Sequence, residues 1–180
     1  FIYNNIKLSD QEHATFIAGA LIALQEPIFN SSYKNDYLHQ ADYFVEQMMS
    51  AIKSSIYRCK GFDKPEKREI IFAEFSFIAR NEQLKKIVHC EGKDWIAVQY
   101  LLKVLESGIF TIAKEHPEYD ILGAFYDQFT KYSASDQQSL GIVLTPHHTA
   151  QFMSELLEIN EDDVVLDTCC GSASLLLTAG

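Results

Sequence analysis

Two short segments near the carboxyl end hold residue types that could do chemistry. In Val164-Val165-Leu166-Asp167-Thr168-Cys169-Cys170-Gly171-Ser172-Ala173-Ser174-Leu175, an apolar run ends on a carboxylate and passes into small residues. The run Val164–Leu166 reads as a buried strand, and strand, small-residue turn and helix together open an α/β sheet. Small residues at Gly171, Ser172, Ala173 and Ser174 let backbone approach a ligand that a bulky side chain would exclude. A helix beginning after Gly171 would aim free N–H groups and the positive end of its dipole at that ligand. Asp167 can accept from a ligand hydroxyl or ammonium group, or it can cap the turn. A tight βα turn using Asp167 for turn chemistry alone accounts for these residues equally well.

The second segment is Leu140-Gly-Ile-Val-Leu-Thr-Pro-His-His-Thr149, about twenty residues before the strand. The residue before Pro146 is pushed out of the helical region, so the segment is extended, with His147 or Thr149 near the start of a helix. A plain linker would read the same way.

Other reactive residue types give weaker constellations. Cys169 and Cys170 with His147 and His148 could suggest zinc, but adjacent cysteines on a turn rarely converge tetrahedrally. No metal site is expected, and buried small residues are the better reading of the two cysteines. Ser172 follows Gly171 without the elbow pattern of a hydrolase nucleophile. His13, His39, His89 and His116 lie on or beside expected helices as surface or capping residues. Met48-Met49 and the Phe-rich stripes read as core.

The elements that must carry these segments are mostly helical. Ser9-Asp10-Gln11-Glu12 is a capping box, opening a helix apolar nearly all round to Leu24 and ended by Pro27 and Asn30-Ser-Ser. Helical spacing of Leu38, Ala41, Phe44, Val45, Met48, Met49, Ile52 and Ile56 predicts a second helix over about Asp36 to Arg58. Asp63 and Pro65 predict the start of a third, carrying Ile70, Ile71, Ala73, Phe75, Phe77 and Ile78. Asp94 is expected to cap a long helix to about His116, with Trp95, Val98, Leu101, Leu102, Leu105, Ile109 and Ile112 in its apolar stripe. Another helix follows from Asp120, then a small, polar linker over Ser133–Ser139, then a short amphipathic helix from Thr149 to Glu158.

Composition bounds the rest. The chain has 180 residues, 47% hydrophobic and 12% aromatic, with four Pro and eight Gly. That is enough for a sizeable core and few turns. Its formal net charge is −10, so this stretch repels phosphate and should not itself be the main grip on a nucleic acid. Four cysteines without framework spacing fit a reduced, cytoplasmic setting. No run reaches a membrane span, and no basic, apolar leader opens the chain. Its opening at Phe1 rather than Met is expected to mean residues missing at that end.

Taken together, Leu144-Thr145-Pro146 with the helix ending Phe152-Met153-Ser-Glu-Leu-Leu157, and Asp167-Thr168-Cys169-Cys170-Gly171-Ser172 after a strand, resemble the N6-adenine DNA methylase family. The resemblance is to the amino-terminal part of the modification subunit of type I restriction–modification systems. Asp120–Tyr132 is similar to the family's linker helix, and Phe16–Leu24 to an apolar helix near its start. The resemblance implies an S-adenosylmethionine site. Val143, Leu144, Thr145, Pro146 and His147 would lie along the methionine end of the cofactor. Asp167, Cys170, Gly171, Ser172, Ala173 and Ser174 would form its other wall. Thr168 stands where the family has Pro, and Ala173 and Ser174 where it has Gly, so the turn is small but less permissive.

The implied chemistry is direct methyl transfer to adenine N6, on a base flipped out of the duplex. The family orients that amine with an Asn/Asp-Pro-Pro-aromatic loop. All four prolines here stand alone, so no catalytic residue is expected within the chain. Implied partners are DNA and the specificity and restriction subunits of a type I system. The expected architecture is mostly α. A helical domain over residues 1–137 is followed, over 138–180, by the first strand and turn of a Rossmann-like S-adenosylmethionine-dependent methyltransferase domain. A competing expectation makes the helical part a pure interaction module that docks the specificity subunit and DNA. A third places the methyl group on RNA or protein, because the opening turn is shared across substrate classes.

Overall fold

The structure is a computed structural model that describes residues 8–59, 64–115, 145–171 and 173–179. Within them the chain is mostly helical, with one two-stranded antiparallel sheet. It divides into two compact units, Phe1–Phe110 and Thr111–Gly180.

Helix α1 spans Asp10–Leu24 and begins on the expected capping box. Ser9 Oγ accepts from the Glu12 amide at 3.3 Å, and the Glu12 carboxylate accepts from the Ser9 amide at 2.7 Å. Two of the amides that a helix start leaves without intrahelical partners are thereby satisfied. These bonds hold the Glu12 carboxyl below its usual range. Phe16, Ile17, Ala20, Ala23 and Leu24 of α1 are fully or almost fully buried, as an all-round apolar helix requires. His13, expected at the surface, is also buried, because it lies one turn before the core residues Phe16 and Ile17.

Pro27 ends α1 as expected but also starts a further short helix, α2, Pro27–Ser32. Proline fits the first helical turn because its missing N–H has no helical partner there. Asn30 Nδ2 reaches back to the Leu24 carbonyl at 2.8 Å and satisfies an acceptor at the end of α1. Helix α3 runs Ala41–Arg58 and buries Phe44, Val45, Met48, Ile52 and Ile56 against α1, with Leu38 ahead of its start. Each such side chain contributes roughly 1.5–3 kcal/mol by leaving water.

The single helix expected over 65–78 is two helices, α4 (Pro65–Glu74) and α5 (Ser76–Arg80). They break at Phe75, whose ring fills the space beside Gly19. A Cβ on Gly19 would lie 2.9 Å from Phe75 Cδ1, so α1 tolerates the ring only because residue 19 has no side chain. Of the apolar residues expected on that helix, Ile70 is largely exposed, while Phe75 and Ile78 are buried. Asn81 then caps the one-turn helix α6, Glu82–Lys85, accepting from the Gln83 amide at 2.9 Å.

The largest correction follows. Where Asp94 was expected to cap a helix, the chain forms a hairpin of β1 (Ile87–Cys90) and β2 (Lys93–Ile96), in register Ile87↔Ile96 to Cys90↔Lys93. Its two-residue turn has positive φ at both Glu91 (54°) and Gly92 (76°), the geometry that matches strand twist. Asp94 does not cap a helix; its Oδ1 lies 2.8 Å from Nδ1 of His89, its partner across the ladder. Trp95 Nε1 donates to the Cys90 carbonyl at 3.2 Å.

Helix α7 starts only at Ala97 and runs to Leu105, burying Val98, Leu101, Leu102 and Leu105. It widens into a π-helical turn over Glu106–Phe110 and is followed by α8, Thr111–Glu115. The helix expected from Asp120 and the linker at Ser133–Ser139 lie outside the described residues. So does His116.

In the second unit, α9 spans His147–Leu156 and α10 spans Ser174–Ala179, and the two helices pack together. The strand expected over Val164–Leu166 is not formed. Val164 is 96% and Leu166 82% exposed, with no ladder partner among the described residues. A strand of this apolar kind needs neighbours on both edges and cover on both faces.

Candidate functional site

Two of the expected ligand-facing segments come together through their helices. Pro146 caps α9, its carbonyl accepting from the amides of Thr149 (2.9 Å) and Ala150 (3.1 Å). Thr145 and Pro146 are exposed, and His147 is the first residue of α9. Val143, Leu144 and Ser172 lie outside the described residues. Helix α9 meets α10 where the Ser154 and Thr178 hydroxyls lie 3.0 Å apart. The helix after Thr145-Pro146 and the helix after the Asp167–Ala173 turn are thus one packed pair.

The turn itself is built by Asp167 and two left-handed residues. Asp167 Oδ1 accepts from the Cys169 amide at 3.0 Å, an Asx turn that reverses the chain after the apolar run. Cys170 gives its carbonyl to the Ala173 amide at 2.7 Å, and Ala173 gives its own to Leu177 at 2.9 Å, which starts α10. Gly171 has φ 53° and Ala173 φ 66°. Glycine takes that region freely, but an alanine there is strained by about 1 kcal/mol or more. A Cβ at Gly171 would meet nothing within 4 Å, so the backbone is open to an incoming group on that side.

Cys169 and Cys170, expected as buried small residues, are exposed. No side chain among the described residues folds over the turn to cover them. Among the described residues no three His, Cys, Asp or Glu side chains group as a metal site. No helix among them is long and apolar enough to cross a membrane.

A cleft of about 440 Å³ in this unit lies among Ile159, Asn160, Glu161, Asp163, Val165 and Leu176 and touches none of the expected ligand-facing residues. A hydrogen-bonded constellation in the first unit went unread in the sequence. Tyr33, Lys34, Gln99 and Glu106 meet there, with Gln99 Nε2 donating to the carbonyls of Tyr33 and Asn35, both at 2.8 Å. Its two halves, Tyr33 with Lys34 and Gln99 with Glu106, stand more than sixty residues apart, so no local spacing could mark it.

Residues 117–180 match the family model described as N-6 DNA Methylase. The chain is 33% identical over 175 residues to the type II restriction enzyme and methyltransferase RM.BcgI of Heyndrickxia coagulans. That alignment covers 96% of this chain and 27% of the relative. It is 35% identical over 87 residues to the type I restriction enzyme MjaVIII methylase subunit of Methanocaldococcus jannaschii, covering 48% of this chain and 14% of that one. The chain therefore spans about a quarter or less of the length of these relatives. No solved structure matches it. The turn at Asp167 and the Thr145-Pro146 segment fall inside the matched region, where the chain is similar to N-6 DNA methylases and to relatives named as restriction–modification methylases.

Proposed function

We propose that this chain is the amino-terminal part of a DNA adenine-N6 methyltransferase of a restriction–modification system, and that residues 143–147 and 167–174 begin its S-adenosylmethionine site. The observation that carries the reading is the N-6 DNA methylase match over residues 117–180, which includes the left-handed residues Gly171 and Ala173.

The residues present fit such a cofactor. The open side of Gly171 leaves room for backbone to approach it closely, and Asp167 keeps one carboxylate oxygen beyond its bond to the Cys169 amide. Thr145, Pro146 and His147 would line its methionine end. Asp167, Cys170, Gly171, Ser172, Ala173 and Ser174 would form the facing wall. Bound there, the cofactor supplies an activated methyl group. Exposed Val164–Leu166 suits a strand of a Rossmann-like sheet whose neighbours come from sequence beyond the described residues.

The domain boundary of this reading lies near residue 137, in a segment the described residues do not cover. The type I subunit relative supports a modification subunit working with specificity and restriction subunits in the cytoplasm, while RM.BcgI, named as both restriction enzyme and methyltransferase, supports a single fused chain. A second reading has its own support: the first unit closes its core within Phe1–Phe110 and contains none of the proposed cofactor residues. That unit would then dock a specificity subunit and DNA without catalysis.

Equilibrium dialysis of the whole gene product with tritium-labelled S-adenosylmethionine, followed by transfer to DNA, tests the proposal. Saturable binding with label recovered as N6-methyladenine is expected. Residues 1–180 alone, which contain no Pro-Pro loop, should transfer no label. Absence of cofactor binding by the whole product would leave the docking reading in its place.

A further inference from the structure

A chain of hydrogen bonds runs between the two segments proposed to face the cofactor, and it passes through two side chains that neither segment contains. At one end the Pro146 carbonyl accepts from the Ala150 amide at 3.1 Å, and the Ala150 carbonyl accepts from the Ser154 hydroxyl at 3.1 Å. Ser154 Oγ lies 3.0 Å from Thr178 Oγ1 of α10. Thr178 Oγ1 in turn reaches the Leu175 carbonyl at 3.0 Å and the Ser174 carbonyl at 3.2 Å. Ser174 is the first residue of α10 and directly follows the left-handed Ala173.

Two hydroxyl protons serve this contact, and each has an acceptor on its own helix. If both went to those carbonyls, the two oxygens would face each other at 3.0 Å with no proton between them. The contact therefore holds when one proton crosses. Either Thr178 donates to Ser154, which donates to the Ala150 carbonyl, or Ser154 donates to Thr178, which donates to the Leu175 carbonyl. Each direction begins on a side chain of one helix and ends on a backbone carbonyl of the other. Both hydroxyl residues are half-buried, where chained bonds of this kind are stronger than in water. Phe152, Leu156 and Leu157 of α9 are 60% or more exposed, so these large apolar side chains do not lock α9 onto α10. That gives the hydroxyl contact a larger share in fixing the helix spacing.

We propose that Ser154 and Thr178 are positioning residues that set the distance between the two walls of the S-adenosylmethionine site. The role rests on the cofactor site proposed for residues 143–147 and 167–174. An α-helix is stiff over two turns, so Ser154 and the preceding Pro146 move as one body about 12 Å long. Thr178 is joined to Ser174 in the same way through one turn of α10. Sliding α9 along α10 would therefore carry Thr145 and Pro146 past Gly171 and Ala173 by the same amount. A displacement of about 1 Å is enough to spoil the contacts of a bound group. Neither hydroxyl belongs to a residue expected to touch the cofactor.

Steady-state methylation of DNA by the whole gene product tests this. Thr178→Val matches the shape of threonine and removes its hydroxyl. It should raise the KM for S-adenosylmethionine about three- to tenfold, the scale of one lost hydrogen bond, with kcat and the KM for DNA unchanged. Ser154→Ala should do the same, and the double variant should be no worse than either, because each removes the one shared bond. Thr178→Ser keeps the hydroxyl and should hold the KM near that of the unsubstituted protein. An unchanged KM in Thr178→Val, an equal rise in Thr178→Ser, an equal rise in the KM for DNA, or strictly additive effects in the double variant would overturn the positioning role and leave the cofactor reading intact. Failure of the unsubstituted product to bind S-adenosylmethionine in dialysis would overturn both.

Discussion

The Tyr33 hydroxyl donates to Glu106 Oε2 at 2.7 Å, and the same oxygen lies 2.5 Å from Lys34 Nζ. Two neighbouring residues of the loop after α2 thereby grip the first residue of the π-helical turn. Burial, together with the Glu106 carboxylate, pushes the Tyr33 hydroxyl well above its usual range. Burial also pulls Glu106 upward, but the Lys34 ammonium and Tyr33 hydroxyl outweigh it and leave Glu106 below its ordinary value.

Tyr33→Phe should therefore destabilise the first unit by roughly 1.5–3 kcal/mol, the range for a hydrogen bond to a charged group. Glu106 has its pKa depressed on folding, so its contribution is fully present above the unfolded value of 4.5 and is lost as pH falls through the lower folded one. The deficit of Tyr33→Phe should accordingly shrink below about pH 4.5. Urea melts of both proteins at pH 7 and pH 3.5 check this; an equal difference at both pH values would refute it.

Ser9→Ala removes the acceptor for the Glu12 amide and should cost about 1 kcal/mol. The loss should be seen as earlier fraying of α1 by amide hydrogen exchange at residues 10–13, with the exchange of α3 unchanged.

Gly19→Val places carbon where Phe75 Cδ1 and Ile78 Cδ1 already stand, at 2.9 and 3.2 Å from the first added atom. Overpacking of this kind costs about 1–3 kcal/mol. Adding Phe75→Leu should return part of the loss, because the smaller side chain vacates the contact. Thermal melts of the single and double variants measure the coupling, and strict additivity would count against the contact.

Asp167 offers a way to separate turn chemistry from ligand binding. Asp167→Asn keeps an oxygen for the Cys169 amide but removes the charge. If the carboxylate meets the cofactor, S-adenosylmethionine affinity of the whole gene product should fall about tenfold or more with the melting temperature unchanged, the ~1.4 kcal/mol scale of a charged hydrogen bond. Unchanged affinity would assign Asp167 to the turn alone.

Ala173 at φ 66° predicts the opposite effect at its neighbour. Ala173→Gly relieves the left-handed strain and should stabilise the turn by up to about 1 kcal/mol. Dialysis with labelled cofactor should show equal or tighter binding, and weaker binding would mean that the methyl group itself makes a contact.

Local signals were legible in the sequence and long-range pairings were not. The capping box at Ser9 and Glu12, the buried face of α3 and the start at Pro65 each depend on residues within a turn or two of one another. The hairpin was hidden because Trp95, Val98 and Leu102 also fit a helical stripe, and Glu91-Gly92 is a weak form of the usual Asn-Gly turn. Phe75, where α4 ends, packs into the space that the missing side chain of Gly19 leaves, a pairing of positions far apart in the chain. At the candidate site the small residues pointed to a turn, and the structure adds that Ala173 occupies a glycine's conformation. Val164–Leu166 carries a strand's composition without a strand's geometry, because a ladder is a property of two segments.

The closure of one core within Phe1–Phe110 also bears on how the chain is made. A ribosome releases residues at roughly 5–20 per second, so the helical unit has several seconds to become compact before Val164 and Leu166 emerge. Those side chains then leave the exit tunnel after the core of the first unit is complete. Holdase chaperones should therefore engage the nascent chain longest at the exposed Val164–Leu166 run, whose side chains find no cover among the described residues.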